Sequence, residues 1–304
     1  MSFAISYAIS YEWMALGAAV CWAIGSLISA PASAHLGAFA FTRWRMACAS
    51  VLLWSVAIYA GSWQTLQPDK LWLLALSGII GILIGDTALF AAMNRLGPRR
   101  AGVLFATHAL FSAVLAYLFL GETIWGWTLI GSGLLVSGVM SAILFGKRAA
   151  EQHHWETSSH QLGIGIGLGL LSALCQAVST LMLKPLMETD IDAIAASAVR
   201  MTTALCCHLV LLWLGFKVAR SYLPLTKKVL AMVAFNALLS MGIGMTLILQ
   251  ALKQGDAGII AMLSSVSPVV VLPLLWLVYR RRPAIGAWLG ALLTVLGTVL
   301  ILQH

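Results

Sequence analysis

The sequence predicts an all-α integral membrane protein in which ten transmembrane helices form two inverted five-helix repeats. Three observations lead there. Hydrophobic residues make up 61% of the chain and charged ones 9%, whereas a soluble domain carries roughly 25% charged residues, so there is too little polar surface to cover a globule in water. The apolar residues gather in runs of about 20, the length a helix needs to cross the hydrocarbon. Residues of the first half recur in the second at a constant offset.

The runs, bounded by charge or by Pro and Gly clusters, are 12–31, 37–60, 71–94, 101–120, 124–146, 162–186, 191–216, 228–252, 256–279 and 284–303. They are too long for barrel strands and lack period-two alternation. Helices, which satisfy their own backbone groups, are the remaining way to span lipid. The first run carries Trp22 and Ser26, and no Lys or Arg precedes it, so it does not read as a cleaved signal. The second holds Arg43 and Arg45, the third Gly81, Gly85 and Asp86, the fourth His108, and the fifth Gly131 and Gly138. The sixth opens on GIGIGLG (163–169) and carries Gln176 and Thr180; the seventh carries Arg200, and the eighth Asn236 and Gln250. The ninth is interrupted by Pro268 and Pro273, and the tenth has Gly286 and Gly290 at GxxxG spacing. GxxxG pairs, also present at Gly81/Gly85, Gly163/Gly167 and Gly165/Gly169, favour close helix packing. No strand precedes GIGIGLG, so it lacks the setting of a nucleotide-binding loop. Cys21, Cys48, Cys175, Cys206 and Cys207 all fall within predicted helices without a CxxC pair and read as small packing residues.

Polar residues cluster once, in the linker KRAAEQHHWETSSHQ (147–161), between a first repeat at 1–146 and a second at 162–304. Gly85, Thr87, Ala92, Gly131 and Gly138 fall without a gap on Gly244, Thr246, Ala251, Gly290 and Gly297; with a small slip, Arg45-Met46 falls on Arg200-Met201. Five helices per half require the second half to insert upside down. Inverted repeats are an architecture of secondary transporters, with the site near the midplane where the repeats meet.

The residues of these repeats resemble the drug/metabolite transporter superfamily, EamA-type. The similarity rests on an Arg early in the second helix (Arg43 or Arg45), LFLGE (118–122) ending the fourth, Gly131 and Gly138 in the fifth, and Pro268 in the ninth. It spans the chain and implies a metabolite exporter or exchanger without ATP hydrolysis. Arg281 stands where the second repeat would match Glu122, and the loop after the second helix lacks the usual basic residues.

The net charge of +8 sits mostly at helix ends: Arg95, Arg99 and Arg100; Lys147 and Arg148; Lys217, Arg220, Lys227 and Lys228; and Arg280 to Arg282. All these loops share one face. The positive-inside bias places that face in the cytoplasm and both termini outside, with anionic lipid headgroups rather than nucleic acid as partners of the charge. Many relatives keep their termini in the cytoplasm; the charges of this chain say the opposite.

Asp86 in GILIGDTALFAAMNRLG (81–97) is the sharpest local signal. A carboxylate near a helix centre costs about 2.5–3.5 kcal/mol on the insertion scale, and such residues pair with one another or mark a substrate or proton path. Asp86, Arg43, Arg45 and His108 are expected at about one depth. One reading is a coupled site, with Asp86 carrying a proton, His108 relaying it and Arg45 acting as counter-ion or anion anchor. The other is a structural Arg–Asp pair. Arg200 is the counterpart of Arg45, but the position matching Asp86 is Met245, so the symmetry breaks there. Arg200 then either shapes the cavity or snorkels to headgroups or to Glu188 or Asp192. Trp22, Ser26, Gln176, Thr180, Asn236 and Gln250 either hydrogen-bond a polar substrate or pack between helices. Trp63, Trp125, Trp127, Trp155 and Trp288 read as an interfacial belt.

An enzyme is not expected. HExxH and GxSxG are absent, GxGD fails because Leu83 occupies its first glycine, and there is no Walker motif. His153, His154 and His160 lie in a solvated linker, so no metal or cofactor is expected. The sequence therefore points to a secondary transporter in a bacterial inner membrane, coupled to protons or working by exchange. A site offering both Arg and Asp leans towards amino-acid-like zwitterions. An exporter of lipophilic cations, or a non-transporting scaffold, is the alternative.

Overall fold

The computed structural model describes residues 9–123, 125–144, 159–279 and 285–302, and every regular element among them is helical. The helices are α1 (Tyr11–Leu36), α2 (Ala38–Tyr59), α3 (Pro68–Gly97), α4 (Arg100–Leu120), α5 (Gly126–Leu144), α6 (Ser159–Met187), α7 (Ala193–Trp213), α8 (Lys227–Leu252), α9 in two pieces (Ala257–Ser264 and Ser267–Tyr279) and α10 (Ile285–Leu302). Seven of them, α1, α3, α4, α6, α7, α8 and α10, are long and apolar enough to cross a membrane, while 126–141 and 257–271 are shorter apolar helices. Most of the expected linker, and Arg281 opposite Glu122, lie outside the described residues. The end of the linker is helical, because α6 begins at Ser159.

Helix ends follow local chemistry. Gly37, at φ 85°, turns the chain between α1 and α2, and the Tyr222 ring covers it at 3.1 Å from where a Cβ would stand, so a side chain there meets both strain and a clash. Gly97, at φ 81°, separates α3 from α4. The Asp192 carboxylate accepts from Ile194 N–H and Ala195 N–H to cap α7. Glu122, the last residue of LFLGE, reaches across to cap α9: its two oxygens accept from Ala257 N–H and Gly258 N–H at 2.8 and 3.0 Å. A carboxylate there satisfies two orphan donors and the positive end of the helix dipole.

Two irregularities occur in both halves. An eight-residue π-helical stretch interrupts α3 at Ile79–Asp86 and α8 at Ala237–Gly244. Both α4 and α9 break about halfway, at Thr107 and at 265–266, where Thr107 and Ser265 donate back to the carbonyls of Leu104 and Met262. Pro268 then falls in the first turn of the new helical piece, where its missing N–H removes no bond.

Packing is reciprocal between the halves. Helix α1 lies against α8 and α9, α6 lies against α3 and α4, α2 pairs with α7, and α5 with α10. Cβ of Cys21 lies 3.3 Å from the Cβ position of Gly244, and Cβ of Cys175 lies 3.1 Å from that of Gly85. Lipid gives helices no hydrophobic reason to associate, so close backbone contact through small residues takes over. In the α5–α10 pair a Cβ on Gly131 would stand 2.8 Å from the Gly297 carbonyl, and one on Gly138 would stand 2.8 Å from the Gly290 carbonyl. Of the GIGIGLG glycines, Gly165 and Gly169 receive Leu96 and Leu104, whereas Gly163 and Gly167 have open space.

Gly138→Leu therefore places a side chain against backbone that cannot yield, and overpacking of this kind costs about 1–3 kcal/mol or more. A Cβ on Gly163 meets nothing within 4 Å among the described residues, and Gly163→Leu is expected to melt with wild type. Thermal melts in detergent compare the two, and equal melting temperatures would contradict the packing assignment.

Candidate functional site

The glycines of α3 decide what approaches its buried face. Gly78 faces the backbone carbonyl of Arg200 (2.6 Å from its Cβ position), Gly81 faces the Ser179 hydroxyl (2.5 Å), and Gly85 faces Cys175. With no side chains in the way, α6 and α7 close on the π-helical stretch, and Arg200 lies along it. π-Helical stretches are rare and frequent at functional sites. This one ends on Asp86.

Arg45 on α2 meets Asp86 there: Nη2 donates to Oδ2 at 2.5 Å, with both residues buried. The guanidinium also lies over two aromatic rings, 4.7 Å from the Phe90 centroid and 5.6 Å from that of Phe41, which themselves meet edge-on at 4.7 Å. Ring faces stabilise a desolvated cation, so Arg45 has support beyond the carboxylate.

Arg200 is 1% exposed and has no carboxylate partner among the described residues. Its Nε donates to the Ser77 hydroxyl at 3.1 Å and its Nη2 to the Ser179 hydroxyl at 3.0 Å. Those hydroxyl protons are committed elsewhere, to the carbonyls of Leu74 and Ser77, so both oxygens are left as acceptors for the arginine. Nη1 of Arg200 has no acceptor. The Asp86 charge acts on Arg200 as well as on Arg45.

His208 on α7, which the sequence analysis did not single out, lies against Thr87, the residue after Asp86. It is fully buried, its Nε2 lies 3.4 Å from the Thr87 hydroxyl next to Asp86, its ring meets Phe39 edge-on at 5.9 Å, and its Nδ1 has no partner. Arg43 and Arg45 both act on it electrostatically. Its signal was the same as that of His108: a histidine inside an apolar run.

The other expected site residues are dispersed. His108 is buried against Phe105, with ring centroids 4.9 Å apart, and is not among the charges acting on Asp86. Arg43 donates to the Ala219 carbonyl at 2.5 Å, tying α2 to the loop between α7 and α8. The same loop is held by Tyr222 N–H on the Leu36 carbonyl and by His35 Nε2, 3.0 Å from the Pro224 carbonyl. Trp22 donates to the Ser240 carbonyl at 3.0 Å across the α1–α8 contact, where Asn236 also donates to the Gly25 carbonyl. Gln176 is buried on α6. Arg200 turns inward to serines rather than out to headgroups, Glu188 or Asp192; it is Lys184 that meets Glu188, at 2.9 Å, and donates to the Leu252 carbonyl. Outside the spans, burial draws the Lys253 ammonium below its ordinary range, and Asp192 and Asp190 oppose that. No group of three or more His, Cys, Asp or Glu suited to a metal occurs among the described residues.

Comparison with known proteins gives this arrangement its setting. The EamA-like transporter family matches residues 9–144 and again 163–303, one match to each half of the chain. The chain belongs to the EamA-like transporter family. It is thus a multi-pass membrane transporter of small molecules built from two repeats, as the drug/metabolite transporter resemblance implied. Among solved structures it is similar to one described only as a crystal structure of a protein, at 16% identity, with 95% of each chain covered and a TM-score of 0.77. That likeness bears on the fold alone. No curated protein matched the sequence.

The two arginines of α2 are expected to behave differently. Arg45→Gln strands a buried carboxylate, a change that costs about 3–5 kcal/mol. Arg43→Gln loses one bond to a neutral carbonyl, worth about 0.5–1.5 kcal/mol, or up to about 3 with a charged donor. Denaturation in detergent measures both, and a larger loss for Arg43→Gln would contradict the pairing.

Proposed function

We propose that this EamA-family member is a secondary active transporter, an exporter or exchanger of amino-acid-like zwitterions. In this reading ten transmembrane helices, in two inverted five-helix repeats, alternate access to one central site at Arg45, Asp86 and Arg200. The observation that carries it is the buried Arg45–Asp86 pair on the π-helical stretch of α3, with Arg200 packed against Gly78 and Gly81 of the same helix. An ion pair buried in hydrocarbon is expensive to maintain, and intramembrane charges of this kind mark substrate or proton paths. A zwitterion brings its own ammonium and carboxylate, so it can replace the charge partners of the site without leaving an ion bare. Binding then favours one access state only to the extent that affinity differs between the two.

Asp86 is the proposed coupling carboxylate, and His208, whose Nε2 lies 3.4 Å from the hydroxyl of neighbouring Thr87, is the proposed relay in addition to His108. The reading as an exporter of lipophilic cations is weaker, because the aromatic faces of Phe41 and Phe90 are already occupied by Arg45. The charge bias of the loops supports a bacterial inner-membrane location with both termini outside and anionic headgroups against the basic face.

Wild type and Asp86→Asn, each verified as folded by size-exclusion profile and melt, are to be reconstituted in liposomes with a pH-sensitive dye inside and challenged with a pool of amino acids. Substrate-dependent proton flux is expected in wild type, falling at least about tenfold in the variant, the scale of losing an interaction of about 1.4 kcal/mol. Unchanged flux in folded Asp86→Asn would overturn the assignment of Asp86. Absence of flux for every amino acid in wild type would overturn the zwitterion reading.

A further inference from the structure

We infer that Arg200 is the seat of a carboxylate on the transported molecule, so that the substrate is a carboxylate-bearing metabolite bound by that group and not by its amine alone. The inference deepens the transport reading and rests on it for the identity of the ligand as cargo.

Three features of the site lead to it. The guanidinium lies about two turns into α7, almost wholly enclosed, yet its acceptors among the described residues are two neutral hydroxyls. Both are held as acceptors by their own donations to backbone carbonyls, so Nε and Nη2 are fixed in place and the fork of the guanidinium is oriented in advance. Nη1, buried, is left without an acceptor. A guanidinium presents parallel donors that match a carboxylate two-to-two.

Charge points the same way. Arg45 and Arg200 share one carboxylate, Asp86, which is bonded to Arg45. The cluster therefore carries one surplus positive charge in a medium that penalises it. A single carboxylate cancels that surplus. A phosphate monoester, at about −1.5 to −2, would overshoot it.

The repeat explains why the position is on α7 and not on α2. Arg45 and Arg200 are counterparts, but only the first repeat supplies an acid; its match in the second is Met245. One arginine is thereby neutralised within the protein, and the other is held for an anion from outside. Gly78 and Gly81 complete the design, since a Cβ at either position would strike the Arg200 backbone or Ser179 and displace the serine clamp.

The test is a melt of the detergent-purified full chain with three probes: a pool of L-amino acids, the same amino acids as C-terminal amides, and a pool of straight-chain monocarboxylates from propionate to hexanoate. Amino acids and monocarboxylates are expected to raise the wild-type melting temperature by about 2–4 °C at concentrations several-fold above Kd, and the amides by much less. Arg200→Gln, whose amide nitrogen falls where Nε stands beside Ser77, is expected to lose the shift, and Arg200→Lys to keep part of it. Should Arg200→Gln fail to fold, Ser179→Ala, which frees the guanidinium from one clamp, is expected to weaken the response to carboxylates at least threefold in apparent Kd while leaving that to amides unchanged. Equal stabilisation by amides, a shift that survives Arg200→Gln, or no shift with any carboxylate would overturn the inference. Liposome flux of the same pools separates this from the transport reading. Flux of amides equal to that of amino acids removes the carboxylate seat and leaves the transporter, whereas carboxylate binding without any flux keeps the seat and removes the transport role.

Discussion

A charge inside hydrocarbon has no water to turn to, and the centre of this protein is organised around that constraint. Two guanidiniums enter it, from counterpart helices. One is met by a carboxylate and two aromatic faces, the other by two serine hydroxyls. Neither arrangement is available to an ordinary α-helix packed at an ordinary distance. Glycines at 78, 81 and 85 thin the buried face of α3 so that α6 and α7 can bring their polar atoms against it. The π-helical stretch that carries two of those glycines ends on the aspartate itself. Packing, backbone irregularity and charge are in this sense one feature.

The remainder of the molecule repeats a single plan twice and departs from it once. Breaks in α4 and α9, π-helical stretches in α3 and α8, the cysteine–glycine contacts of α1 and α6, and the glycine crossing of α5 with α10 all have counterparts. Elements that repeat are those that hold the helices together or let them bend. The acid of the central pair does not repeat: Met245 stands where the second half would match Asp86. A duplicated scaffold with one unduplicated charged site is what a transporter needs if two symmetric halves are to rock about a single cargo.

Much of this was legible in the sequence, because hydropathy reports directly on the solvent. The apolar runs lie within a few residues of the helices, and the constant offset of Gly85, Thr87, Gly131 and Gly138 already marked the repeat. Asp86 was legible as a cost that something must offset, and Arg45 as its natural partner. What the sequence could not convey was direction around the helix axis. Arg43 and Arg45, two residues apart, point to a loop carbonyl and to the central carboxylate respectively. His108 and His208 both interrupt apolar runs, and only the second comes to lie beside Thr87. Glu122 looked like part of a family signature and is a cap for a helix that begins at Ala257, a relation no local pattern contains. The π-helical stretches have no local propensity signal either; they arise where glycines and neighbouring helices allow the backbone to widen.

The central claim, that Arg45 and Asp86 act on cargo and do not merely fasten α2 to α3, is tested most directly by neutralising both at once. Replacing both partners of a buried ion pair by hydrophobic residues of similar volume is often neutral or stabilising, and it leaves the net charge of the cluster unchanged, so Arg45→Met/Asp86→Leu separates folding from function. The account predicts a double variant that melts close to wild type in detergent and carries no amino acid in liposomes. A double variant that is stable and transports at the wild-type rate would show the pair to be a fastening and would contradict the account.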